Sequence, residues 1–326
     1  MPIPITTEGA FDSTVRRLIN QNFIEGAGIF GNLYIVGNAA YDTNINYLRS
    51  KFGGNYYADG SAVMQPTIQA AINACVDWRG DFIIVGPRTY VVTSPVLFNK
   101  KGITVLSTFN ISGQDNGERF TLNSDDTADI ATAIISEPCT ISGLGFDSAN
   151  SANGTIVMGP GSGFDGGNFV RLVNCRFTNW GHAAYGIESN YNDYVKIEKC
   201  DFDGTISAVG GSANVFDYGV ALTQGHYVTV EECTFRGCTY AIGHGTPNPA
   251  SADHSNQNFI YKRNRVVVTG KTKKFINFNT LATYSKSYGL VADNWLGTAT
   301  DTGSYNDTVA NAKTGGVTFS GNHYEE

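Results

Sequence analysis

Two aspartates, Asp201 and Asp203, have the residue type and the spacing that acid–base catalysis on a sugar bond requires. They flank Phe202 in a stretch of alternating character, so both side chains point to one outer face, about 6.6 Å apart at Cα. Inverting glycosidases hold their two carboxyl groups about 6.5 to 9.5 Å apart, and retaining ones about 5 to 5.5 Å apart. The pair could therefore serve hydrolysis with inversion.

The same two carboxylates also have a structural interpretation. When the repeat described below is aligned, Arg176 is the neighbour of Asp201 in the preceding repeat, and Arg236 is the neighbour of Asp203 in the following one. A nearby guanidinium group favours the ionised form of a carboxyl group, whereas a general acid must begin protonated. The four side chains are therefore either a catalytic pair with its surroundings or a ladder of ion pairs, each contributing about 0 to 1 kcal/mol.

Aromatic and polar residues near this pair favour a sugar-binding groove. Trp180 and His182 come one repeat earlier, and Asp217 and Tyr218 follow a long insertion. Trp stacks on pyranose faces, and charged forks bind hydroxyls or uronates, although a Trp at such an edge is equally typical of rim packing. The candidate catalytic residues are Asp201, Asp203 and Asp217. The candidate carbohydrate-binding residues are Arg176, Trp180, His182, Tyr218 and Arg236.

Seven similar stretches of chain must position these side chains. They are CTISGLGF (139–146), VRLVNCRF (170–177), VKIEKCDF (195–202), VTVEECTF (228–235), FIYKRNRV (259–266), GLVADNWL (289–296) and VTFSGNHY (317–324). Recurrence every 25 to 33 residues is typical of a solenoid. Positions one and three are inward and apolar, and positions six and eight form a second inward pair. Alternation with a period of two is broken between positions three and six, so the chain must turn a corner there. Strand, corner and strand predict one coil of a parallel β-helix, with coils stacked about 4.8 Å apart.

The sixth position should form a column at the corner. Its residues include Cys175, Cys200, Cys233, Asn264, Asn294 and Asn322. Asn tolerates left-handed corners, and its amide can bond the amide of the neighbouring coil. The cysteines are predicted to be buried thiols rather than disulfides, because the coil spacing exceeds the Cβ separation of about 3.8 Å that a disulfide requires.

Outward positions carry charges of alternating sign. The fifth position runs through Asn174, Lys199, Glu232, Arg263 and Asp293. At the fourth position, Glu231 lies under Lys262. These columns predict ladders of ion pairs between adjacent coils, which need no functional explanation.

Two further patterns are predicted to be structural. The run Gly243-His244-Gly245 is similar to the Gly-His-Gly of polygalacturonases, but the other motifs of that family are missing, and we interpret it as a turn. His244, Asp253 and His254 could share a polar loop as metal ligands, yet we expect no metal there. No residue pattern in the chain demands a cofactor.

Composition limits the class of protein. Charged residues make up 16% of the 326 residues, and there are 38 Gly, 17 Tyr and 19 Phe, which favours a turn-rich β protein. The net charge of −7 and the lack of a basic run argue against nucleic acid as a partner. The start of the sequence lacks the apolar segment of a secretory signal peptide, and no stretch is long and apolar enough to insert into a membrane. We therefore expect a soluble protein that accumulates in the cytosol unless something else exports it or lysis releases it.

Two helices are predicted before the repeats. Residues 11–24 place Phe11, Val15 and Leu18 on one face of a short amphipathic helix, which either packs on the first coils or serves self-association or docking onto a larger particle. Residues 66–76 form a second helix, with Pro66 in its first turn. Its apolar stripe is Ile68, Ala71, Ile72, Cys75 and Val76. This helix should cover the open end of the β-helix, followed by two strands around a turn at Gly86 and Pro87.

The run ADGSAVMQPTIQAAINACVDWRGDFIIVGPRTYVV resembles the opening of the pectate-lyase-like superfamily of right-handed β-helices. The resemblance implies an all-β, right-handed parallel β-helix of about eight or nine coils with an N-terminal capping α-helix, over residues 59–326. Residues 1–58 would be a leader or attachment segment. Their run PITTEGAFDSTVRRLINQNF is similar to N-terminal leaders of phage-encoded β-helix proteins.

That superfamily includes polysaccharide lyases, glycoside hydrolases and phage tailspike or fibre proteins. The resemblance implies a phage virion appendage, either a tailspike, a fibre or a head decoration, that binds bacterial surface glycans. It would be a homotrimer held on the baseplate or capsid by its N-terminus. The alternatives are a polysaccharide-degrading enzyme on the same fold and a purely architectural protein without a ligand. The Arg-x-Pro-x-x-Arg motif of pectate lyases is not found, which puts calcium-dependent elimination in doubt.

Overall fold

The computed structural model describes sixteen segments of the chain, and strands are the main secondary structure within them. The described residues are 31–36, 64–65, 68–86, 89–92, 94–107, 121–124, 131–147, 155–159, 168–178, 185–203, 216–223, 225–244, 256–267, 274–278, 288–297 and 316–324. Within them, the strands form three sheets in which all pairs are parallel.

The strands are numbered in chain order and grouped here by sheet. Sheet A contains β1 (Leu33–Val36), β2 (Met64–Gln65), β3 (Phe82–Val85), β6 (Ile103–Ser107), β9 (Cys139–Ser142), β12 (Arg171–Val173), β15 (Lys196–Glu198), β18 (Gly225–His226), β19 (Thr229–Glu231), β22 (Asn256–Lys262), β25 (Tyr288–Ala292) and β27 (Val317–Ser320). Sheet B contains β4 (Thr89–Val92), β7 (Thr121–Ser124), β10 (Gly145–Asp147), β13 (Arg176–Thr178), β16 (Asp201–Asp203), β20 (Thr234–Arg236), β23 (Arg265–Val267), β26 (Trp295–Leu296) and β28 (His323–Tyr324). Sheet C contains β5 (Val96–Phe98), β8 (Ala133–Ile135), β11 (Ile156–Met158), β14 (Tyr185–Ser189), β17 (Phe216–Leu222), β21 (Cys238–His244) and β24 (Lys274–Asn277).

The chain visits the three sheets in turn. For example, β12, β13 and β14 lie in sheets A, B and C, and the next three strands pair with them in the same order. Each such round is one coil, and a complete round of described strands adds one parallel strand to each sheet. This topology confirms the predicted parallel β-helix, while the number of coils stays a prediction.

The two inward pairs of the repeat form the core. Leu172 aligns with Ile141 and Ile197 in sheet A, and all three are fully buried. In sheet B the phenylalanines of the eighth position stack nearly face to face. Ring centroids are 5.3 Å apart for Phe146 and Phe177, and 4.7 Å apart for Phe177 and Phe202. The predicted inward columns are therefore confirmed.

The corner differs from the prediction by one residue. The left-handed residue is at the fifth position, not at the sixth, with φ between 52° and 55°. These residues are Asn174, Lys199, Glu232, Arg263 and Asp293. One left-handed residue lets two consecutive inward strands meet at a sharp bend, and its backbone N–H bonds the next coil, as in the 3.0 Å bond from Lys199 N to Glu231 O.

The asparagines of the sixth position form the predicted ladder. Asn264 Nδ2 donates to Asn294 Oδ1 at 3.1 Å, and Asn294 Nδ2 donates to Asn322 Oδ1 at 2.9 Å. The same acceptor oxygens also take the backbone N–H groups of Asn264 and Asn294. Each amide thus satisfies buried backbone and side-chain groups of the neighbouring coil.

All six cysteines are free and buried, which the repeat had predicted for Cys139, Cys175, Cys200 and Cys233. In the corner column the thiols bond nearby carbonyls, for example Cys200 Sγ to Glu198 O at 3.3 Å. Burial raises the pKa of Cys139 to about 12 and that of Cys200 well above its ordinary value. They are therefore packing residues.

Helix α1 (Ile68–Ala74) ends two residues before the end predicted for it at 76. Ile68, Ala71 and Ile72 are buried, and the helix contacts β1, β3 and β5. Val76, predicted to belong to the apolar stripe, is instead half-exposed. The prediction was wrong because the helix ends at Ala74 and the chain has turned away by Val76. Pro66 lies outside the described residues, and the role of α1 as a cap stays a prediction.

A buried carboxylate ties the end of α1 to the sheet. Asp81 is fully buried and accepts hydrogen bonds from Asn32 N at 2.6 Å and from Val76 N at 2.8 Å. Arg79 binds both of its oxygens, at 2.7 Å and 2.8 Å. Arg79 also donates to the Tyr34 hydroxyl at 3.1 Å. This network joins the first described strand to the chain that follows the helix.

Strand β1 lies within residues 1–58 yet pairs in register with β3. Leu33 aligns with Phe82 and Val36 with Val85. Part of the proposed leader therefore contributes to sheet A. The boundary at 58/59 stays a prediction, and the predicted amphipathic helix at 11–24 lies outside the described residues. In the part of the chain that is described, no helix has the length and apolar character to cross a bilayer.

Candidate functional site

The two aspartates and two arginines meet on the outer face of sheet B. Strand register places Arg176 beside Asp201 and Asp203 beside Arg236, as the repeat predicted. Asp201 Oδ1 lies 2.8 Å from Arg236 Nη2, and Asp201 Oδ2 lies 3.5 Å from Arg176 Nε. Asp203 Oδ2 lies 3.5 Å from Arg176 Nη2 and 3.9 Å from Arg236 Nε. Each carboxylate thus contacts both guanidinium groups.

Burial differs sharply within this cluster. The Asp203 side chain is only 8% exposed, whereas that of Arg236 is 37% exposed. Arg176 is also largely buried, and Asp201 is intermediate. A ligand on this face can therefore reach Arg236 and Asp201, while Asp203 and Arg176 hold them in place from below. This arrangement suits recognition of hydroxyl or carboxylate groups by a fixed donor and acceptor.

Tyr218 lies on sheet C, in the strand that follows the cluster. Its ring stacks between those of Tyr185 and Tyr240, with centroids 5.8 Å and 5.4 Å away. Its hydroxyl accepts a 2.6 Å hydrogen bond from Asn277 Nδ2. Tyr218 is buried, so its ring is the middle of a stack that the three tyrosines form together.

The other predicted site residues are only partly described. Asp217 belongs to β17, but its side chain lies outside the described part. Trp180 and His182 lie wholly outside the described residues. The structure therefore brings Arg176, Asp201, Asp203 and Arg236 together, and all eight site residues stay predictions as binding or catalytic groups.

The tyrosine row on sheet C was missed from the sequence. The signal is a Tyr followed by Gly or Ala and then by Ile or Val, which recurs at Tyr185, Tyr218 and Tyr240. Next to it, Glu188 accepts a 2.9 Å hydrogen bond from Asn190 Nδ2, and Asn190 Oδ1 accepts one of 2.5 Å from the Thr223 hydroxyl. Sheet C thus carries its own row of polar and aromatic side chains.

His244 is not in a turn, which corrects our prediction. It is the last residue of β21 and is fully buried against the rings of Phe259, Tyr261 and Phe278. Its Nδ1 lies 3.0 Å from the Tyr261 hydroxyl. Burial lowers the pKa of His244 to about 3, so the ring is neutral and packs as part of an aromatic core.

Asp253 and His254, which were grouped with His244, lie outside the described residues. Over the described ranges, no three His, Cys, Asp or Glu side chains come close enough together to hold a metal ion.

The predicted charged ladders are confirmed from Lys199 to Arg263 at the fifth position and between Glu231 and Lys262 at the fourth. Glu232 lies 3.7 Å from Lys199 Nζ and 2.7 Å from Arg263 Nη2. Glu231 lies 2.9 Å from Lys262 Nζ and, unpredicted, 2.9 Å from Lys196 Nζ. Glu231 is thus the centre of a network that spans three coils.

Glu231 is expected to make stability depend on pH. Burial alone would raise its pKa, but Lys262 and Lys196 outweigh burial and lower the pKa from 4.5 to about 2. Because the folded-state pKa is the lower one, the stabilisation is present above about pH 4.5 and is lost as the pH falls toward about 2. Glu231→Gln should reduce the free energy of unfolding by about 2 to 3 kcal/mol at pH 7, measured with denaturant.

The gap between Glu231→Gln and wild type should shrink steadily below about pH 4.5. Glu137→Gln is the control, because Glu137 lies 3.8 Å from Lys101 in a more exposed pair. A Glu231→Gln gap that stays constant across the acidic range would contradict the network.

An aromatic row borders the same face of sheet A. Phe169, Tyr194 and Tyr227 stack with ring centroids 4.6 Å and 4.8 Å apart, and each ring is about half exposed. All three residues have φ of 57° or 58°. They come one residue before the first position of the repeat. The alternation of the strand does not extend to that position, so the repeat alone did not predict the row.

Among the comparisons with known proteins, only the one with solved structures finds similar chains. No family model and no curated protein matches the chain. A tailspike protein mutant of E. coli bacteriophage HK620 matches with a TM-score of 0.45 and 14% identity, over 96% of this chain and 63% of that one. ORF18 of Geobacillus virus E2 matches with a TM-score of 0.39 and 12% identity, over 86% of this chain and 60% of that one. An alginate lyase from Paenibacillus sp. str. FPU-7 matches with a TM-score of 0.38 and 11% identity, over 79% of this chain and 96% of that one. The chain thus spans less than two thirds of the two phage chains.

Proposed function

We propose that this protein is a phage virion appendage, a tailspike, fibre or head decoration, that binds bacterial surface glycans. The observation that carries the proposal is the cluster on sheet B, where Arg236 and Asp201 are held at the surface by two buried partners. A fixed donor beside a fixed acceptor is suited to sugar hydroxyls, and its repeat-based scaffold keeps the geometry rigid. The proposed attachment through the N-terminus to a baseplate or capsid, as a homotrimer, rests on the resemblance of the leader.

Binding is favoured over cleavage by the contacts of the two aspartates. A glycosidase needs one carboxyl group that can give a proton to the leaving oxygen and a second that can reach the sugar. Here both carboxylates already face two guanidinium groups, and Asp203 is almost fully buried. The cluster therefore has the organisation of an ion-pair network with one exposed edge.

The alternative, a polysaccharide-degrading enzyme, retains one supporting observation. Asp201 and Asp203 lie two residues apart in β16, about 6.6 Å at Cα, and Asp201 remains partly exposed. An enzyme would release shorter sugar chains from the polysaccharide, whereas a binding protein would leave it intact.

The test is a glycan array followed by assays of reducing ends and of unsaturated uronate products. We expect binding without products, and about tenfold weaker binding by Arg236→Gln but not by Lys101→Gln. Product formation that is lost in Asp203→Asn but kept in Asp193→Asn would establish the enzyme instead. A protein that binds no glycan would be architectural. Mass measurement in solution tests the trimer separately.

A further inference from the structure

On the outer face of sheet A, the cations are more exposed to solvent than the glutamates Glu198 and Glu231 that they contact. Glu198 lies between Arg171 and Lys196, whose Nζ is 2.8 Å away, and Glu231 is covered by Lys196 and Lys262. The side chains of Glu198 and Glu231 are 12% and 8% exposed. The cations above them are 31% to 52% exposed. Around Glu198 and Glu231, solvent therefore meets ammonium and guanidinium groups, whereas Glu232, at 35% exposed, is the accessible carboxylate of this face.

Cations also outnumber carboxylates here. We call this surface the basic face. Its five cations are Arg171, Lys196, Lys199, Lys262 and Arg263. They share three carboxylates, those of Glu198, Glu231 and Glu232. The surplus is two positive charges over these coils, or one when Asp293 of the next coil is included, in a chain whose net charge is −7. Asp293 borders the basic face in the next coil of the fifth-position column.

The aromatic row lies along one edge of the basic face. Phe169 and Tyr194 each precede a cation of that face, Arg171 and Lys196, by two residues, or about 6.6 Å along a strand. The row and the basic face therefore run side by side across the same coils. Aromatic rings next to guanidinium and ammonium groups offer an apolar contact and an anion contact to one ligand.

We propose that the basic face and its aromatic row bind an acidic polysaccharide, whose sugars carry carboxylates, with the glycan lying along the solenoid axis. The inference rests on the proposed function and adds to the cluster on sheet B a second glycan-binding surface, on sheet A, whose ligand is an acidic glycan. Coils repeat about every 4.8 Å, close to the length that one sugar adds to an extended chain. A glycan along the axis can thus meet cations from three coils, those of Arg171, of Lys196 and Lys199, and of Lys262 and Arg263, while its ring faces pass the aromatic edge. The coil of Glu231 and Glu232, between the second and third of these, supplies no cation to this face.

The test compares binding of polygalacturonate, neutral dextran and duplex DNA in titrations at low and moderate salt. We expect polygalacturonate to bind, dextran not to bind, and added salt to weaken the complex. The variant Arg171→Gln/Lys199→Gln should bind at least about tenfold more weakly. It leaves Lys196 and Lys262 on Glu231, so the buried network stays covered.

Lys101→Gln is the matched control, because Lys101 pairs with Glu137 at 3.8 Å much as Lys199 pairs with Glu232 at 3.7 Å. It should bind as tightly as wild type. Tyr227→Asn tests the aromatic row and suits the backbone, since Asn258 has φ of 56° near the same position of the following coil. It should weaken polygalacturonate binding about fivefold. Circular dichroism checks that each variant is folded.

Wild-type affinity in Arg171→Gln/Lys199→Gln would overturn the inference, as would DNA binding as tight as polygalacturonate binding. Binding of neutral bacterial glycans alone would overturn the acidic ligand and leave the proposed function standing. If no glycan of either kind bound, both would fall.

Discussion

Asn294→Ala is expected to lower the free energy of unfolding by about 3 to 5 kcal/mol. The Asn294 side chain is fully buried, and its oxygen accepts from both the backbone N–H and the amide of Asn264. Its amide nitrogen donates to Asn322 Oδ1 and to Tyr261 O at 3.0 Å. Alanine would leave buried donors and acceptors in two neighbouring coils without partners, and each such group is costly. Equilibrium unfolding in guanidinium measures the loss.

Asn73→Ala is the control for this substitution. Asn73 is exposed and makes one side-chain contact, accepting a 3.0 Å hydrogen bond from Gln69 Nε2. Its loss should cost about 0.5 kcal/mol or less. Equal destabilisation by the two substitutions would show that the asparagine ladder is not a structural requirement.

Asp81→Asn should destabilise the protein by a similar amount, about 3 to 5 kcal/mol. The buried carboxylate accepts from the backbone of Asn32 and Val76 and from two nitrogens of Arg79. An amide presents one acceptor oxygen where two are needed, and it removes the charge that compensates Arg79. The denaturant midpoint should therefore fall, and α1 and β1 should become accessible to protease before the later coils.

The neighbouring Asp77 provides a matched control for Asp81. Asp77 is exposed and accepts one hydrogen bond of 3.0 Å from Lys101 N. Asp77→Asn should cost at most about 1 kcal/mol. Wild-type stability in Asp81→Asn would mean that the network does not join the first strand to the rest of the fold.

Sheets A and B could be predicted because side chains alternate with a period of two and inward positions must be apolar. That rule aligned Leu172 with Ile197 and Phe177 with Phe202 before any coordinates. Sheet C could not be aligned in the same way. Its strands follow insertions of variable length, and no fixed spacing connects Tyr218 to the preceding unit.

For the candidate site, too, the sequence predicted which residues are neighbours in one column but not their other contacts or their burial. Neighbours in one column follow from the repeat, so the pairing of Arg176 with Asp201 was expected. The crossed contacts of Arg176 with Asp203 and of Arg236 with Asp201 were not, because they depend on how long side chains lean between columns. Burial of Asp203 and of His244 was also missed, since alternation gives the face of a strand but not what covers it.

The corner column changes from cysteine to asparagine along the solenoid. Only the coils before that change therefore carry corner thiols that can report local unfolding. A thiol reacts as the thiolate, so a buried cysteine with a raised pKa is labelled only when the chain around it opens. Cys75, just after α1, and Cys238, the first residue of β21, lie at opposite ends of the thiol-bearing region, and burial raises the pKa of both. The order in which thiol reagents modify the cysteines would therefore show from which end the solenoid unravels.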